Sequence, residues 1–193
     1  MKTLLFITIS SILLSCNTKN TEVQISTEIG DITIEVYSDK APITAANFLA
    51  YVDAGKYNSH ASFYRVVRLD NQPNNSTKIE VIQGGFCEDS TIERLQFTPI
   101  KHETTEATGV LHKNGVISMA RMEPGTASSE FFICIGDQPE LDFNGKRNPD
   151  GQGFAAFGKV VKGMEIVRKI QQLKDSNQYL LNPIIIISIR RIE

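Results

Sequence analysis

The sequence predicts a mainly β domain, a barrel or sandwich of short strands with helices covering its ends. Short runs rich in Val, Ile and Phe recur along the chain and are separated by turn residues. Only two segments carry apolar residues at the spacing of an amphipathic helix. The 193 residues, 41% of them hydrophobic and 22% charged, are enough for one domain with a full core.

The N-terminal segment resembles an export signal more than a part of the domain. Lys2 precedes an apolar run from Leu4 to Leu14, which is too short to span a bilayer core as a lone helix. Residues 13–16 read Leu-Leu-Ser-Cys, which resembles the lipobox of bacterial lipoproteins. In that class the signal is cut before the Cys, whose thiol receives a diacylglycerol. The alternatives are an ordinary signal peptide with an incidental Cys, or a buried apolar strand.

The lipobox implies three parts: residues 1–15 as signal peptide, 16–22 as lipidated Cys16 and tether, and 23–193 as the folded domain. Acyl chains on Cys16 would anchor the protein, at about 0.8 kcal/mol per buried methylene. The expected location is therefore the bacterial cell envelope, on a membrane and facing the periplasm or the cell exterior. Export permits disulfides, but a buried free thiol is expected for Cys134, which lies in a strand pattern.

The domain begins with a hairpin pattern followed by a helix pattern. Apolar residues alternate from Val23 to Ile29 and from Ile32 to Val36, and Gly30-Asp31 between them indicates a two-residue turn. A helix is predicted from Pro42 to Ala54, because Pro suits a first helical turn and Gly55 suits the residue after the end.

The remainder of the chain adds one more helix and several strands. The second amphipathic helix is predicted from Gly163 to Leu173. The Asn-, Pro- and Ser-rich segment Leu69–Lys78 is predicted to be an exposed loop. The C-terminal strand, Pro183–Ile189, is expected to be buried on both faces at its start. Strands are predicted at Ser62–Val67, Val81–Gln83, Ile117–Ala120, Phe131–Ile135, Phe154–Val160 and Pro183–Ile189.

Charge and histidine placement argue against two classes of function. The formal net charge of −2 does not suggest the basic face that nucleic-acid binding requires. His60, His102 and His112 are too dispersed to indicate a metal site. Neither a nucleic acid nor a metal is expected as a partner.

Five motifs, in order, resemble the core motifs of cyclophilins. The resemblance extends from about Val23 to the C-terminus, and it implies a closed eight-stranded antiparallel β-barrel capped by two α-helices. It also implies peptidyl-prolyl cis-trans isomerase activity. The motifs are Phe-Tyr-Arg-Val-Val at 63–67, Val-Ile-Gln-Gly-Gly at 81–85, Ser-Met-Ala at 118–120, Ser-Ser-Glu-Phe-Phe-Ile at 128–133 and Phe-Gly-Lys-Val at 157–160.

Prolyl isomerisation needs no cofactor. An Xaa–Pro amide rotates slowly because resonance gives its C–N bond partial double-bond character, with a barrier of about 18–20 kcal/mol. A catalyst must hold the proline ring, let one side of the amide rotate and stabilise a pyramidal nitrogen. No bond is broken, so no nucleophile, base or metal is required.

The resemblance also assigns the site residues. It implies that Arg65 donates to the proline nitrogen, a role that suits an always-charged, planar guanidinium. It implies that Gln83 binds the substrate backbone and orients the Arg, and that Phe132 forms the floor of the proline pocket. By strand periodicity alone, Arg65 shares a face with Phe63 and Val67, which favours an ordinary surface Arg. The implied substrate-binding residues are Val81, Ala120, Arg121, Glu130, Leu141 and Phe154.

Glutamates stand at groove positions where the family carries other residues. Glu80, Glu130 and Glu140 together predict a groove more acidic than usual, which would favour basic residues near the proline. Arg121 replaces the family's usual Asn and Glu130 its usual Gln, so a charge pair between these two is expected. That pair would keep Glu130 from capturing Arg65.

The sequence therefore predicts a monomeric peptidyl-prolyl isomerase that acts on Xaa–Pro bonds of unfolded or extended exported proteins. Its partners would be proline-containing polypeptides and, through the lipid on Cys16, a membrane. The alternative is a non-catalytic module that holds proline-containing peptides at the membrane, which the groove glutamates keep open. Catalysis requires Arg65, whereas binding alone could tolerate its loss.

Overall fold

The computed structural model describes residues 20–87 and 95–192, so the predicted signal peptide and Cys16 lie outside the described residues. Within these ranges no helix is long and apolar enough to cross a bilayer. The described helices are α1 (Pro42–Asp53), α2 (Thr105–Thr108) and α3 (Met164–Gln171). The described strands are β1 (Thr21–Thr27), β2 (Gly30–Val36), β3 (Ser62–Val67), β4 (Val81–Gly85), β5 (Val116–Met119), β6 (Phe131–Cys134), β7 (Ala155–Lys162), β8 (Asp175–Ser176) and β9 (Tyr179–Ile192).

Eight of these strands form a closed antiparallel barrel. The order is β1-β2-β7-β5-β6-β4-β3-β9, and β1 pairs with β9 to complete the ring. The two-residue β8 pairs only with the start of β9 and lies outside the ring. The predicted eight-stranded barrel and its two amphipathic helices are confirmed. The third helix, α2, has four residues, too few to produce a detectable apolar period.

Aromatic side chains fill the barrel and attach α1 to it. Phe48 of α1 packs at a ring-centroid distance of 5.0 Å from Phe157 and 5.7 Å from Phe131. Val167 and Ile170 of α3 are also fully buried in this core. Each helix therefore covers the barrel with its apolar side, as predicted for amphipathic helices.

The first hairpin turns two residues earlier than predicted. Thr27 pairs with Gly30, so Glu28 and Ile29 form the turn and Gly30 begins β2. Gly30 has φ +139°, and a Cβ there would lie 2.6 Å from Ile166 Cδ1 of α3. The glycine is required for this close packing and for the positive φ rather than for the turn itself.

The last strand is buried on one face only. Ile184 and Ile186 point into the core, whereas Ile185 and Ile187 are 45% and 51% exposed. The prediction of burial on both faces is therefore wrong. A continuous run of isoleucines looks the same in the sequence whether one or both faces are covered.

Candidate active site

Neighbouring strands place the three candidate catalytic residues in one row across the barrel wall. Arg65 on β3 is directly opposite Gln83 on β4, and Gln83 is directly opposite Phe132 on β6. Directly paired residues on adjacent strands project from the same face of a sheet. The barrel therefore brings together side chains that are as much as 67 positions apart in the chain.

A bulge in β3 makes this row possible. Phe63 pairs with Gly84 and Arg65 pairs with Gln83, so Tyr64 is an extra residue between two consecutive pairs. Phe63 is fully buried inside the barrel, whereas Arg65 lies in the groove on the outer face. The expectation that these two side chains share a face is wrong, because a β-bulge shifts the alternation by one residue.

The row opens onto a cavity of about 320 Å³. Its floor is apolar, with Val81, Phe132 and Leu141 buried in one cluster against Ala120 and Phe154. The rings of Phe132 and Phe154 meet edge to face at a centroid distance of 5.3 Å. Eight of the nine sequence-predicted groove residues line this cavity, and Glu130 lines an adjoining one. The full lining is Tyr64, Arg65, Ile79, Val81, Gln83, Ala120, Arg121, Met122, Phe132, Leu141, Arg147, Asn148, Phe154 and Tyr179.

Two neutral amides hold the Arg65 guanidinium. Nη1 donates to Gln83 Oε1 at 2.8 Å, while Nη2 and Nε donate to Gln178 Oε1 at 2.6 and 3.1 Å. Within residues 20–87 and 95–192, no carboxylate lies within ion-pair distance of this guanidinium. The positive charge therefore faces the cavity without a bound counter-charge.

A chain of hydrogen bonds continues from Gln83 to a buried carboxylate. Gln83 Nε2 donates to the Tyr64 hydroxyl oxygen at 2.7 Å, and that hydroxyl donates to Glu130 Oε2 at 2.6 Å. Glu130 Oε1 accepts the backbone N–H of Phe86 at 2.7 Å. Because the hydroxyl accepts from Nε2, the other end of the Gln83 amide, its oxygen, is directed at Arg65.

Burial is the largest cause of the pKa shifts of Tyr64 and Glu130, at the end of this chain of hydrogen bonds. It raises the pKa of Glu130, although the hydrogen bonds from Tyr64, Phe86 and Ser129 act in the opposite direction. Burial and the neighbouring Glu130 carboxylate both raise the pKa of the Tyr64 hydroxyl, so this group remains a proton donor at neutral pH.

The expected charge pair between Arg121 and Glu130 is not formed. Arg121 instead binds both carboxylate oxygens of Asp150, at 2.7 and 2.9 Å, and the carbonyl of Gly153. Glu130 is kept away from Arg65 by Tyr64. The Asp150 contact was not predictable from the sequence, because Asp150 lies in a loop 29 residues further along the chain.

The prediction of an acidic groove is also wrong. Glu80 accepts from Gln171 Nε2 and Glu140 accepts from the backbone N–H of Lys146, and neither lines the cavity. Ile79 and Val81, on either side of Glu80, face the groove instead. Among the described residues, the lining of the main cavity contains arginines but no Asp or Glu.

Behind the pocket floor lies a buried Ser–His–Asp arrangement. His112 Nδ1 is 2.7 Å from Asp142 Oδ1, and its Nε2 is 3.0 Å from the Ser118 hydroxyl. The imidazole stacks on the Phe132 ring at a centroid distance of 5.9 Å. His112 and Ser118 are 1% and 0% exposed, so this set supports the floor and is not accessible to a substrate.

Sequence reasoning assigned no role to several residues that the structure places at this site, among them Tyr64, Arg147 and Gln178. Gln178 follows Asn177 in a two-residue turn between β8 and β9, where both residues have positive φ. Arg147 lies on a long loop and donates to Gln72 Oε1 and to the Thr77 carbonyl. A detectable signal existed only for Tyr64, which is adjacent to Arg65 and polar at its tip.

Comparisons with known proteins agree with this geometry. Residues 22–191 match the family model described as cyclophilin type peptidyl-prolyl cis-trans isomerase/CLD. The chain is 40% identical over 158 residues to a peptidyl-prolyl cis-trans isomerase of Acinetobacter baylyi, covering 81% of this chain and 75% of that protein. It is 37% identical over 146 residues to peptidyl-prolyl cis-trans isomerase B of Escherichia coli, covering 75% and 80%.

The fold also matches a solved structure. A cyclophilin type peptidyl-prolyl cis-trans isomerase of Cryptosporidium parvum superimposes with a TM-score of 0.69 at 23% identity, covering 90% of this chain and 98% of that chain. At this identity the match concerns the fold alone.

Proposed function

This chain belongs to the cyclophilin-type peptidyl-prolyl cis-trans isomerases and is an enzyme of that class; on that premise we propose that Arg65 is its central catalytic residue. The observation that carries the proposal is the state of its guanidinium, which is held by neutral amides and not by a carboxylate. A guanidinium paired with a carboxylate would have to give up that partner before it could act on a substrate.

In the proposed mechanism the apolar floor holds the proline ring. Phe132, Leu141 and Phe154 surround a space with no charged group at its base, which suits an apolar ring. With the ring fixed, the residue before the proline rotates about the C–N bond. This rotation removes the resonance, so the nitrogen becomes pyramidal and the lone pair that was delocalised in the planar amide is localised on it.

Arg65 stabilises that lone pair by donating an N–H to it. The interaction exists only when resonance is lost, so it stabilises the transition state more than the planar amide. Each 1.4 kcal/mol of such stabilisation accelerates rotation about tenfold. Gln83 holds the guanidinium in position through the 2.8 Å contact, and its own orientation is fixed by Tyr64.

Exchange NMR on short Xaa–Pro peptides tests the activity and its assignment to Arg65. We expect the protein to accelerate cis–trans exchange and the Arg65→Ala variant to lose most of that acceleration. Arg168→Ala is the matched control, because Arg168 is an exposed Arg on α3 that does not line the cavity. Peptide binding by the folded protein with no acceleration would favour the alternative of a non-catalytic proline-binding module. The groove glutamates that kept that alternative open do not face the main cavity.

We also propose that the enzyme acts on exported chains as a monomeric lipoprotein anchored through Cys16. The support is the apolar run that ends in Leu-Leu-Ser-Cys and the polar tether that follows it. Expression in a bacterial host followed by membrane fractionation tests this. The protein should partition with the envelope membranes, and Cys16→Ser should release it or leave the signal uncut. Equal partitioning of both proteins, with no lipid mass on the mature N-terminus, would contradict the proposal.

A further inference from the structure

Two arginines that face one continuous groove have no carboxylate partner within residues 20–87 and 95–192. Arg65 and Arg147 both line the main cavity, and both also line a second cavity of about 360 Å³ beside it. We call this second cavity the side pocket. Its other described lining residues are Asn71, Gln72, Pro73, Asn74, Asn75, Asn177 and Gln178.

Among the described residues that line the side pocket there are two arginines and no Asp or Glu. Arg147 uses Nη1 for Gln72 Oε1 at 2.9 Å and the Thr77 carbonyl at 2.7 Å, and both acceptors are neutral. Of the described acids near these loops, Asp70 and Asp175 are bound to Arg68, and the Glu140 carboxylate accepts the backbone N–H of Lys146. Burial and the neighbouring Arg65 guanidinium lower the pKa of Arg147, which reflects the cost of holding two like charges together.

Arg121, the third arginine of the groove, does have a carboxylate partner. Arg121 is neutralised by both oxygens of Asp150, and its side chain is 1% exposed. The unbalanced charge is therefore confined to the side of the groove formed by Arg65 and Arg147.

We propose that Arg147 and the side pocket bind a carboxylate of the substrate, which gives the enzyme a preference for chains with an acidic residue next to the proline. This inference rests on the proposed function and specifies its substrate class. Three of the five N–H groups of Arg65 are bound to Gln83 and Gln178, and the proposed mechanism uses one of the other two, so Arg147 and the surrounding amides are the groups that hold the carboxylate. Because the two cavities share Arg65, and a residue spans about 3.3–3.6 Å, the acid lies within one or two residues of the proline.

The preference is measured as a ratio of kcat/KM for matched peptides. One peptide carries Glu and the other Gln at the same position, first before and then after the proline, with both ends blocked. We expect the Glu peptide to be favoured about fivefold at low salt for one of the two positions, the upper range for a partly exposed ion pair. The ratio should approach one as the salt concentration rises from 0.05 to 1 M, because the Debye length shortens to about 3 Å.

Variants of Arg147 assign the preference. Arg147→Gln should bring the ratio to about one, whereas Arg147→Lys should keep part of it, because the charge remains without the planar fork. Lys146→Gln is the matched control, since Lys146 is the adjacent exposed cation but does not line either cavity, and it should keep the wild-type ratio. A third peptide, neutral except for a free C-terminus just after the proline, distinguishes an internal acidic residue from a chain end.

The outcomes separate this inference from the function on which it rests. Acceleration of the neutral peptides with a Glu-to-Gln ratio of one at both positions would overturn the acidic preference and leave the isomerase intact. A ratio that persists in Arg147→Gln, or a gain seen only with the free C-terminus, would also overturn it. Failure to accelerate any peptide would instead contradict the proposed function.

Discussion

Tyr64 connects the Gln83 amide, which holds Arg65, to the buried Glu130 carboxylate. Its hydroxyl donates to Glu130 and accepts from Gln83, so removing it leaves two polar groups with one partner fewer each. We expect Tyr64→Phe to lower the free energy of unfolding by about 1–3 kcal/mol, the usual cost of a buried group left unsatisfied. Urea denaturation measures this loss.

Tyr179→Phe is the control for that loss. Tyr179 stacks on the Tyr64 ring at 6.2 Å but is 49% exposed, so its hydroxyl can be hydrated. We expect a change within about 0.5 kcal/mol for this variant. Equal losses of stability in the two variants would mean that the hydrogen bonds of the Tyr64 hydroxyl do not stabilise the fold.

His112 makes stability depend on pH near neutrality. Burial lowers its pKa in the folded protein, although Asp142 acts in the opposite direction. In the unfolded chain His112 has the ordinary pKa of about 6.5. Between the folded-state pKa and 6.5, the unfolded chain therefore binds more protons than the folded protein. The free energy of unfolding contributed by His112 is therefore fully present above about pH 6.5 and is lost as the pH falls towards the folded-state pKa.

His112→Gln removes that titration. We expect the stability advantage of the wild type over this variant to narrow as the pH is lowered from 7.5 through the window below 6.5. Urea denaturation at several pH values measures how the free energy of unfolding changes with pH in the wild type and in the variant. Parallel slopes for the two proteins would show that His112 does not titrate on unfolding.

Among the elements, the turn between β8 and β9 positions the Arg65 guanidinium. Asn177 and Gln178 have φ of 51° and 74°, as a two-residue hairpin of type I′ requires. Gln178 accepts from Arg65 and also donates to the Asn71 carbonyl, so it connects the arginine to the 69–78 loop. A non-glycine residue with positive φ is held here because its side chain has this contact.

Gln178→Gly tests this positioning role separately from stability. Glycine relieves the positive φ, but the variant loses the hydrogen bonds to Arg65 and Asn71 and its unfolded chain gains freedom, so we expect the thermal midpoint to change little. The kcat of isomerisation should fall about tenfold, equivalent to about 1.4 kcal/mol, because Arg65 loses one of its two supports. An unchanged kcat would show that Gln83 alone positions the guanidinium.

The strands of this fold were predictable, but the details that build the site were not. Alternation and motif order correctly predicted the barrel, and the motifs contained the candidate residues that β3, β4 and β6 bring into one row. The bulge at Tyr64 was not predictable, because an extra residue in one strand leaves no mark on composition. The basic character of the groove depends on Arg147, which contacts residues 70 and 75 positions away, and a single sequence does not reveal such long-range contacts.

At the scale of the whole molecule, the barrel depends on β1 to close it. This strand pairs with β2 on one side and with β9 on the other, and it buries Val23 and Ile25 completely. Its loss would leave two unpaired strand edges and an opened core.

Two truncations test that closure. A chain that starts at residue 20 should unfold in one cooperative transition and retain isomerase activity, whereas a chain that starts at residue 30 should not fold. Circular dichroism during urea denaturation distinguishes the two outcomes. A cooperative transition in the shorter chain would contradict the role given to β1.

We propose that Arg65 acts on the rotating amide and not merely on peptide binding. The most direct measurement is the cis–trans exchange rate within the peptide complex, by NMR at saturating peptide, for the wild type and Arg65→Lys. Lysine keeps the charge but lacks the planar fork that Gln83 and Gln178 hold. We expect the dissociation constant to change by less than about fivefold while exchange in the complex slows by about 100-fold or more, equivalent to at least about 2.7 kcal/mol. Weaker binding with an unchanged exchange rate in the complex would contradict the account.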